Sequence, residues 1–385
     1  MPERPPLIRT DSSNAFAHNT MSVRVPGIIR EVSRLNPDYA PRIHAALEDL
    51  ARSIAENTPI PPLDPLGPDV DLWAEAYSAH AGHHWLQTDW FFAEIYFYRL
   101  LMQTVRWWET GRDPFTPKKA AELANGELWE LMEQALRLRG GALDERLQAL
   151  IHLALWGNRV DLSFATSLGN ASSGSHEDLL VNDDIRAVTH LLRTSGEVHI
   201  IADNTGTELA MDFALIDALL DTEVRRVVLH LKMHPTFVSD ATVADALALL
   251  DACHEPGRGL GTEDLSRRLR AALEVGRLRF APDFFWNSSR FLWELPPRLR
   301  DLFAGAGLVI SKGDANYRRL IGDAYWPSET PFAHVLDYMP CATLALRTLK
   351  SDAIVGLPAG EDVKLDPIDP HWRVNGRRGI IQFRA

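Results

Sequence analysis

The stretch that decides the fold is EVHIIADNTGTELAMDFALIDALLD, from Glu197 to Asp221. It begins with a short β-branched apolar run, which is typical of a buried strand. It continues as an amphipathic helix, whose apolar face consists of Leu209, Phe213, Ile216 and Leu220. A strand followed directly by a helix is the repeating unit of an α/β domain.

The same alternation continues toward the C-terminus. RRVVLHLK and VADALALLDA repeat the strand and helix patterns, and GLVIS and TLALRTL predict two more strands. Alternating strands and helices predict a largely parallel sheet covered by helices. We therefore predict an α/β domain over residues 191–385.

The first half of the chain has helical patterns instead. After an irregular, proline-containing lead-in of about twenty residues, RIHAALEDLARSIAEN has the apolar spacing of a helix. The prolines between Pro59 and Pro68 forbid a helix there, and three more helical patterns follow. No alternating strand pattern occurs before about Arg193. Residues 1–190 are predicted to form an all-helical N-terminal domain.

Composition excludes several classes of protein. The apolar content of 46% indicates a folded chain, and the formal net charge of −12 argues against nucleic acid as a partner. Two cysteines and the lack of a signal-peptide pattern favour a cytosolic protein. The most apolar segment, Trp90 to Val105, contains Glu94 and Arg99 and is too short to span a membrane, so we predict a buried helix.

Ligands of open α/β sheets bind beyond the carboxyl ends of the strands, so the polar residues found there are the first candidates for a site. Asp203 and Asn204 follow the first predicted strand, Gly206 allows close backbone approach, and Glu208 begins the next helix. Carboxylate and amide oxygens suit a hard divalent ion such as Mg²⁺ or Mn²⁺. Asp and Asn are also common helix N-caps, which is an equally good explanation of this pair alone.

Asp240, in the loop after the second predicted strand, is a third possible oxygen ligand. It or Ser239 could instead cap the helix that begins near Val243. His230 and His234 have the i, i+4 spacing of a helical metal pair, but His230 lies in a predicted strand, which favours a structural role for both.

The sharpest cluster is KGDANYRRL, which follows GLVIS and begins at Lys312. Lysine offers a phosphate a point charge and arginine a planar clamp, so Lys312 and Arg318 are phosphate-binding candidates. Asp314 could bind a sugar hydroxyl, hold the cations or act as acid or base; Asn316 belongs to the same cluster, and Tyr317 could fix the loop against the core. The alternative is a solvated turn.

Further candidates lie in both halves of the chain. Arg347 and Lys350 add positive charge after TLAL, as expected of a site that neutralises an anionic substrate. Glu94 and Arg99 in the apolar helix could form either part of the pocket or a structural ion pair. Asn158 and Asp161 could face the α/β domain, or they could end a helix for local reasons.

Together these motifs resemble the damage-control phosphatases, also called the acidic-residue methyltransferase-like family. The resemblance covers nearly the whole chain and is carried, in order, by AEIYFYRLL, LWGNRVDLS, ADNTGTELAMD, PTFVSDAT, KGDANYRRLIGD, LRTLKSDAIVGL and GRRGIIQF. RTLK (residues 347–350) looks like the RTxK signature of one subfamily, III. The Gly/Ser-rich segment GNASSGSHEDLLVND departs from the family and predicts a mobile loop, which could alter substrate preference if it covers the pocket.

The resemblance implies a helical N-terminal domain over a three-layer α/β/α domain and a metal-dependent phosphatase acting on small phosphometabolites, including fructose 1-phosphate and fructose 6-phosphate. It implies Mn²⁺, Mg²⁺, Co²⁺ or Ni²⁺ held by Asp203, Asn204 and Asp240. We assign catalytic roles to Asp203, Asn204, Lys312 and Lys350. The substrate-binding candidates are Glu208, Asp314, Asn316, Tyr317, Arg318, Arg347, Glu94 and Arg99.

Three alternatives remain at this point. DNTGT loosely resembles the DxDGT string of haloacid dehalogenase phosphatases, which would make Asp203 a nucleophile, although Thr205 replaces the second Asp. An S-adenosylmethionine-dependent carboxyl methyltransferase is the second alternative, although no glycine-rich nucleoside loop is present. The third is a sugar-phosphate sensor without turnover, and the predicted metal ligands argue against it.

Overall fold

Helices form most of the first half of the chain. The structure, a computed structural model, describes residues 3–157 and 179–385. Elements are numbered among those residues. The helices of the first half are α1 (Ala15–Asn19), α2 (Val25–Leu35), α3 (Pro41–Ala55), α4 (Val70–Ser78), α5 (Trp90–Thr104), α6 (Trp107–Thr110), α7 (Thr116–Leu123), α8 (Gly126–Arg137) and α9 (Leu143–Trp156).

The second half alternates strands and helices, as predicted. The strands are β1 (Leu179–Asn182), β2 (Glu197–Ile201), β3 (Arg226–Leu231), β4 (Leu278–Pro282), β5 (Ala306–Lys312), β6 (Thr343–Thr348) and β7 (Gly379–Arg384). The helices are α10 (Asp184–Leu191), α11 (Thr207–Leu220), α12 (Val243–Ala252), α13 (Leu260–Glu274), α14 (Pro297–Ala304), α15 (Asp314–Ile321), α16 (Phe332–Val335) and α17 (Glu361–Leu365).

The strands form one seven-stranded sheet in the order β1-β7-β6-β5-β2-β3-β4. Strands β2 to β6 pair in parallel, whereas β7 is antiparallel to β6 and parallel to β1. The order reverses beside β2, since β3 lies on one side of it and β5 on the other. The crevice at such a reversal is the usual ligand site of an open α/β sheet.

Helices cover both faces of the sheet, which confirms the three-layer α/β/α fold. Along β2, Val198 and Ile200 belong to one apolar core, shared with α9, α11 and α12, whereas Ile201 belongs to the other, shared with α5 and α15. This is the alternation that a strand buried on both faces requires.

Two predictions about the N-terminal half are wrong. A strand occurs before residue 190, because Leu179–Asn182 pairs with β7 at the sheet edge. The irregular lead-in is shorter than predicted, since α1 begins at Ala15. The helix-free segment between Pro59 and Pro68 is confirmed, as is the burial of α5.

The helical half is packed directly on the second half. Helix α9 contacts α11, β6 and β7, and α8 contacts α11 and α13. A domain boundary at residue 190 stays a prediction. Among the described residues, no helix combines the length and the apolar character needed to cross a bilayer.

Candidate active site

Backbone hydrogen bonds join the loops that follow β2 and β3. Asn204 and Asp240 form an antiparallel bridge, and the amide of Ala241 donates to the carbonyl of Asp203 at 2.8 Å. The Asn204 amide group donates to Asp203 Oδ2 at 3.0 Å. The three oxygen-bearing side chains predicted after these two strands therefore lie together at one edge of the sheet.

The helix-cap alternative for these residues is wrong. Gly206, not Asp203 or Asn204, occupies the N-cap of α11. Helix α12 begins with a capping box whose N-cap is Thr242, so Asp240 does not serve that purpose either. Local helix capping therefore leaves all three side chains unexplained.

The carboxylates repel one another. Burial raises the pKa of the Asp203 carboxyl well above its usual range, and the neighbouring Glu208 and Asp240 carboxylates raise it further. Lys350 and Lys312 act in the opposite direction without cancelling the effect. A divalent cation between these groups would relieve the repulsion.

The Asp240 carboxyl, like that of Asp203, has a raised pKa that the neighbouring lysines do not offset. Burial raises its pKa to about 6, although Lys232 lowers it. Lys232 Nζ lies 3.2 Å from Asp240 Oδ2, yet this buried oxygen accepts no hydrogen bond from the described residues. A buried carboxylate whose pKa stays raised despite its lysine partner, beside a second carboxylate and an amide, fits a hard divalent ion.

The chemistry of this donor set depends on the amide. Within residues 3–157 and 179–385, no three His, Cys, Asp or Glu side chains converge as a metal-ligand group. The set of Asp203, Asn204 and Asp240 has only two carboxylates, and the Asn204 side-chain oxygen would be the third protein ligand. Magnesium and manganese accept amide oxygens together with carboxylates and waters.

The loop after β5 packs against Asp203. Gly313 has φ +84°, and a Cβ atom there would stand 2.0 Å from Asp203 Oδ2. The Asn316 side-chain NH₂ donates to the carbonyls of Ala202 and Lys312, each at 2.9 Å. Asn316 therefore links the end of β2 to the end of β5 through these two hydrogen bonds. The buried Oδ1 atom of Asn316 accepts no hydrogen bond from the described residues.

Lys312 is a buried cation beside the carboxylates. Its Nζ lies 2.5 Å from Asp212 Oδ1, and both side chains are at most 2% exposed. Burial lowers the pKa of Lys312, but Asp212, Glu208 and Asp203 outweigh that effect and the net shift is upward. Lys312 therefore carries its charge at neutral pH.

Asp314 and Arg347 shape the loop that carries Lys350. The buried Arg347 donates from Nε to Asp314 Oδ1 at 2.8 Å and stacks 4.4 Å from the centre of the Tyr317 ring. Asp314 Oδ1 also accepts the backbone amide of Lys350 at 3.0 Å. The Lys350 side chain is exposed and forms no ion pair with the described residues, so it is available to an anion at the rim.

Tyr317 and Arg318 have partners in the interior. The Tyr317 hydroxyl donates to Gln382 Oε1 at 2.9 Å. Arg318 pairs with Glu94 at 2.6 Å and with Asp323 at 2.8 Å. Substrate binding by either residue stays a prediction, and these contacts give both a structural role.

Glu94 and Arg99 do not pair with each other. Glu94 binds Arg318, whereas the fully buried Arg99 donates to both oxygens of Asp69, at 2.8 and 2.9 Å. Arg99 therefore anchors the end of the proline-rich connector, and none of its hydrogen bonds reaches the strand-end residues. Asn158, Asp161 and most of the Gly/Ser-rich segment lie outside the described residues.

His199 in β2, His230 in β3 and His234 just after β3 behave as buried structural groups. His199 Nδ1 lies 2.9 Å from His230 Nε2, across the β2–β3 pair. Burial lowers the pKa of His199 to about 4 and that of His234 also to about 4. Neither His230 nor His234 joins a metal-ligand group within the described ranges.

Three buried charges were not predicted. Lys232 holds Asp240, Asp212 holds Lys312, and Lys119 Nζ on α7 lies 2.8 Å from Asp245 and 3.4 Å from the carbonyl of Asp240. Lys232 had a signal, because it ends the strand VVLHL as Lys312 ends GLVIS. Lys119 also pairs with the nearby Asp113 at 2.8 Å, but nothing in the sequence indicates its contacts with Asp240 and Asp245, which lie more than a hundred residues away.

The chain is similar to known proteins over most of its length. Residues 17–365 match the model of the damage-control phosphatase ARMT1-like domain. Damage-control phosphatase ARMT1 from mouse is 27% identical over 440 aligned positions, which include 100% of this chain and 99% of the relative. The human protein is 25% identical, with 96% of each chain covered. The crystal structure of a DUF89 family protein from Pyrococcus horikoshii aligns with 94% of this chain and 97% of its own, at 15% identity and a TM-score of 0.49.

The family model covers most of the chain, and it includes every loop described above. The chain therefore belongs to the ARMT1-like family of damage-control phosphatases, and it is a phosphatase.

Proposed function

We propose that this phosphatase hydrolyses small phosphorylated metabolites, sugar phosphates such as fructose 1-phosphate and fructose 6-phosphate among them, with a divalent metal ion held by Asp203, Asn204 and Asp240. Mn²⁺, Mg²⁺, Co²⁺ and Ni²⁺ are the candidate ions. The observation that carries the proposal is the convergence of the Asp203, Asn204 and Asp240 side chains at the edge of the sheet, where Lys312 and Lys350 also act on the Asp203 carboxylate.

When bound, the metal would polarise a phosphoryl oxygen and supply a water of lowered pKa. Lys312 and Lys350 would neutralise the charge that spreads over the transferring phosphoryl group, from the interior and from the rim respectively. Asp314, Asn316 and Arg347 would keep these two lysines in place. Glu208, which faces the Asp203 carboxylate, would contact the substrate or its water.

Water, rather than Asp203, is the nucleophile we favour. Gly313 packs on the Asp203 carboxylate and the Asn204 side chain donates a hydrogen bond to it. These contacts fix the orientation of the Asp203 carboxylate, as a metal ligand requires. An aspartyl-phosphate route predicts a covalent phosphoenzyme after acid quench of a turnover mixture, and a water route predicts none.

The two cysteines, Cys253 and Cys341, are unpaired, which supports our proposal of a cytosolic location.

Phosphate release from a panel of esters, measured with each of the four metals, tests the function. We expect metal-dependent release that Asp203→Asn abolishes, together with loss of metal binding in calorimetry. Asp49→Asn is the matched control, because Asp49 is 72% exposed and lies on α3. Metal-independent release, or full activity of Asp203→Asn, would contradict the proposal.

A further inference from the structure

Helix α7 of the N-terminal half contacts both loops that carry the predicted metal ligands. Lys119 Nζ lies 3.4 Å from the carbonyl oxygen of Asp240, in the loop after β3. Glu122 Oε1, three residues further along α7, accepts a hydrogen bond from the backbone amide of Thr207 at 2.9 Å. Thr207 is the first residue of α11, the helix that follows the loop after β2. Residues three apart lie on one face of a helix, so the same face of α7 contacts both loops.

Glu122 approaches α11 at a point where a glycine leaves room for it. Gly206 precedes the first residue of this helix and has φ +67°, a conformation that side chains rarely adopt. A Cβ atom on Gly206 would stand 2.1 Å from Glu122 Cδ, well inside ordinary contact. The sequence predicts close backbone approach at Gly206, and the approaching group in this structure is the Glu122 carboxylate.

The Glu122 carboxylate lies next to the carboxylates of the strand-end site. Burial raises the pKa of Glu122, hydrogen bonds from Thr207 lower it, and the neighbouring Glu208 carboxylate raises it. Glu208 in turn raises the pKa of the Asp203 carboxyl. Because the net shift for Glu122 is upward, a neutral Asn or Ser side chain would cap α11 at a lower electrostatic cost. Helix capping alone therefore does not explain a carboxylate at this place.

Two carboxylates hold Lys119 on the side of α7 that contacts the loop after β3. Lys119 Nζ lies 2.8 Å from Asp113 and 2.8 Å from Asp245, and the lysine side chain is 6% exposed. The Asp245 side chain also completes the capping box of α12 with Thr242. The loop after β3 is therefore attached to α7 at Asp240 and again at the start of α12.

The two loops are hydrogen-bonded to each other as well as to α7. The amide of Thr205 donates to the carbonyl of Ser239 at 2.7 Å, and the amide of Ala241 donates to the carbonyl of Asp203 at 2.8 Å. The Ser239 hydroxyl donates to Asn204 Oδ1 at 2.6 Å. Because this oxygen is a predicted metal ligand, a displacement of either loop changes the position of ligand atoms.

We propose that Glu122 and Lys119 are positioning residues of the metal site, which fix the loop after β2 and the loop after β3 at the separation that metal binding requires. The inference rests on the proposed function, because the metal ligands are those of that proposal. Glu122 acts through the amide of Thr207, and Lys119 acts through the carbonyl of Asp240. An uncharged oxygen acceptor of the same length should therefore replace the Glu122 carboxylate.

Glu122→Ala and Glu122→Gln test the assignment. Glutamine keeps a side-chain oxygen within reach of the Thr207 amide, whereas alanine removes it. We expect Glu122→Ala to weaken Mn²⁺ binding about tenfold in calorimetry, as loss of an outer-shell partner does, and Glu122→Gln to stay within about threefold of wild type. Equal weakening in both variants, which would indicate an effect of charge alone, would overturn the assignment, as would wild-type affinity of Glu122→Ala.

Glu133→Ala is the matched control, because it removes the same kind of cap from a helix that follows no metal-ligand loop. Glu133 on α8 packs on Gly259 and Gly261, and its Oε1 accepts the amide of Thr262 in the first turn of α13 at 3.0 Å. We expect Glu122→Ala and Glu133→Ala to lower the urea midpoint of unfolding by similar amounts, and only Glu122→Ala to weaken Mn²⁺ binding. Equal weakening of binding in both variants would assign the effect to a general loss of stability and overturn the positioning role.

Hydrogen exchange distinguishes failure of the inference from failure of the function, because it needs no metal. In the metal-free protein, we expect the amide of Ala241, in the loop after β3, to exchange at least about fivefold faster in Glu122→Ala than in wild type or in Glu133→Ala. If wild type binds no Mn²⁺, the proposed function fails, and the exchange of Ala241 alone decides whether α7 fixes the two loops. If wild type binds Mn²⁺ and Ala241 exchanges at the wild-type rate in Glu122→Ala, only the inference fails.

Discussion

Replacing Gly313 with alanine perturbs the candidate metal site through a single methyl group. The new Cβ would stand 2.0 Å from Asp203 Oδ2 and 2.1 Å from Cγ, whereas ordinary contacts begin near 3.4 Å. The carboxylate or the β5 loop must therefore move by 3.4 − 2.0 Å, or about 1.4 Å. Misplacing a reacting group by about 1 Å can lower the rate about 100-fold.

The same substitution also strains the backbone. Gly313 has φ +84°, and a side chain in the left-handed region costs about 1–2 kcal/mol. The backbone strain and the steric conflict together should lower the free energy of unfolding by about 2–4 kcal/mol. We expect kcat/KM to fall by about 100-fold or more, with weaker metal binding.

Urea unfolding, metal titration by calorimetry and phosphate release measure these effects separately. Gly276→Ala is the matched control, because Gly276 has φ +73° and no atom within 4 Å of the position of a Cβ. It should lower stability by a similar backbone contribution and leave metal binding unchanged. A folded Gly313→Ala protein with wild-type metal affinity and kcat/KM would refute the view that this glycine fixes Asp203.

Other substitutions separate structural from functional charges. Arg318→Met leaves two buried carboxylates without their cation, so we expect the free energy of unfolding to fall by about 3–5 kcal/mol, and an intact fold with only a raised KM would contradict this. Lys350→Met should change stability by less than about 0.5 kcal/mol but lower kcat/KM at least about tenfold, whereas the exposed Lys364→Met should change neither. His199, whose pKa falls from 6.5 to about 4 on folding, must stay neutral in the folded state. The free energy of unfolding that depends on neutral His199 is fully present above pH 6.5, and about 3 kcal/mol of it is lost as the pH falls toward 4. Unfolding curves at several pH values would check this, with a His199→Gln variant that lacks this part of the pH dependence as the control.

The sequence predicts the central strands and the position of the candidate site for the same physical reason. β-Branched apolar runs such as VHII have few alternatives to a buried strand, and parallel strands end at a common edge. The proximity of Asp203, Asn204 and Asp240 can therefore be predicted without any knowledge of side-chain packing. The edge strands were missed because β1 has only four residues and β4 is interrupted by Arg279, so neither has a clear period.

Sequence alone does not separate the cations that face the site from those that hold the fold. Arg318 and Lys350 both follow predicted strands, and both are candidates for an anion. Arg318 is removed from solvent by Glu94, which lies 224 residues earlier in the chain, whereas Lys350 has no such partner among the described residues. The distinction depends on a tertiary contact that has no local signal.

The contacts of the helical half show why it belongs to the catalytic unit. Asn14 binds the loop after β6, Glu94 binds α15 after β5, and Lys119 binds Asp245 after β3. Each contact is made to a loop or helix that follows a site-bearing strand, and the pairs of Glu94 and Lys119 are largely buried. Breaking one such buried pair costs about 3–5 kcal/mol. The helices therefore stabilise the geometry of the strand ends.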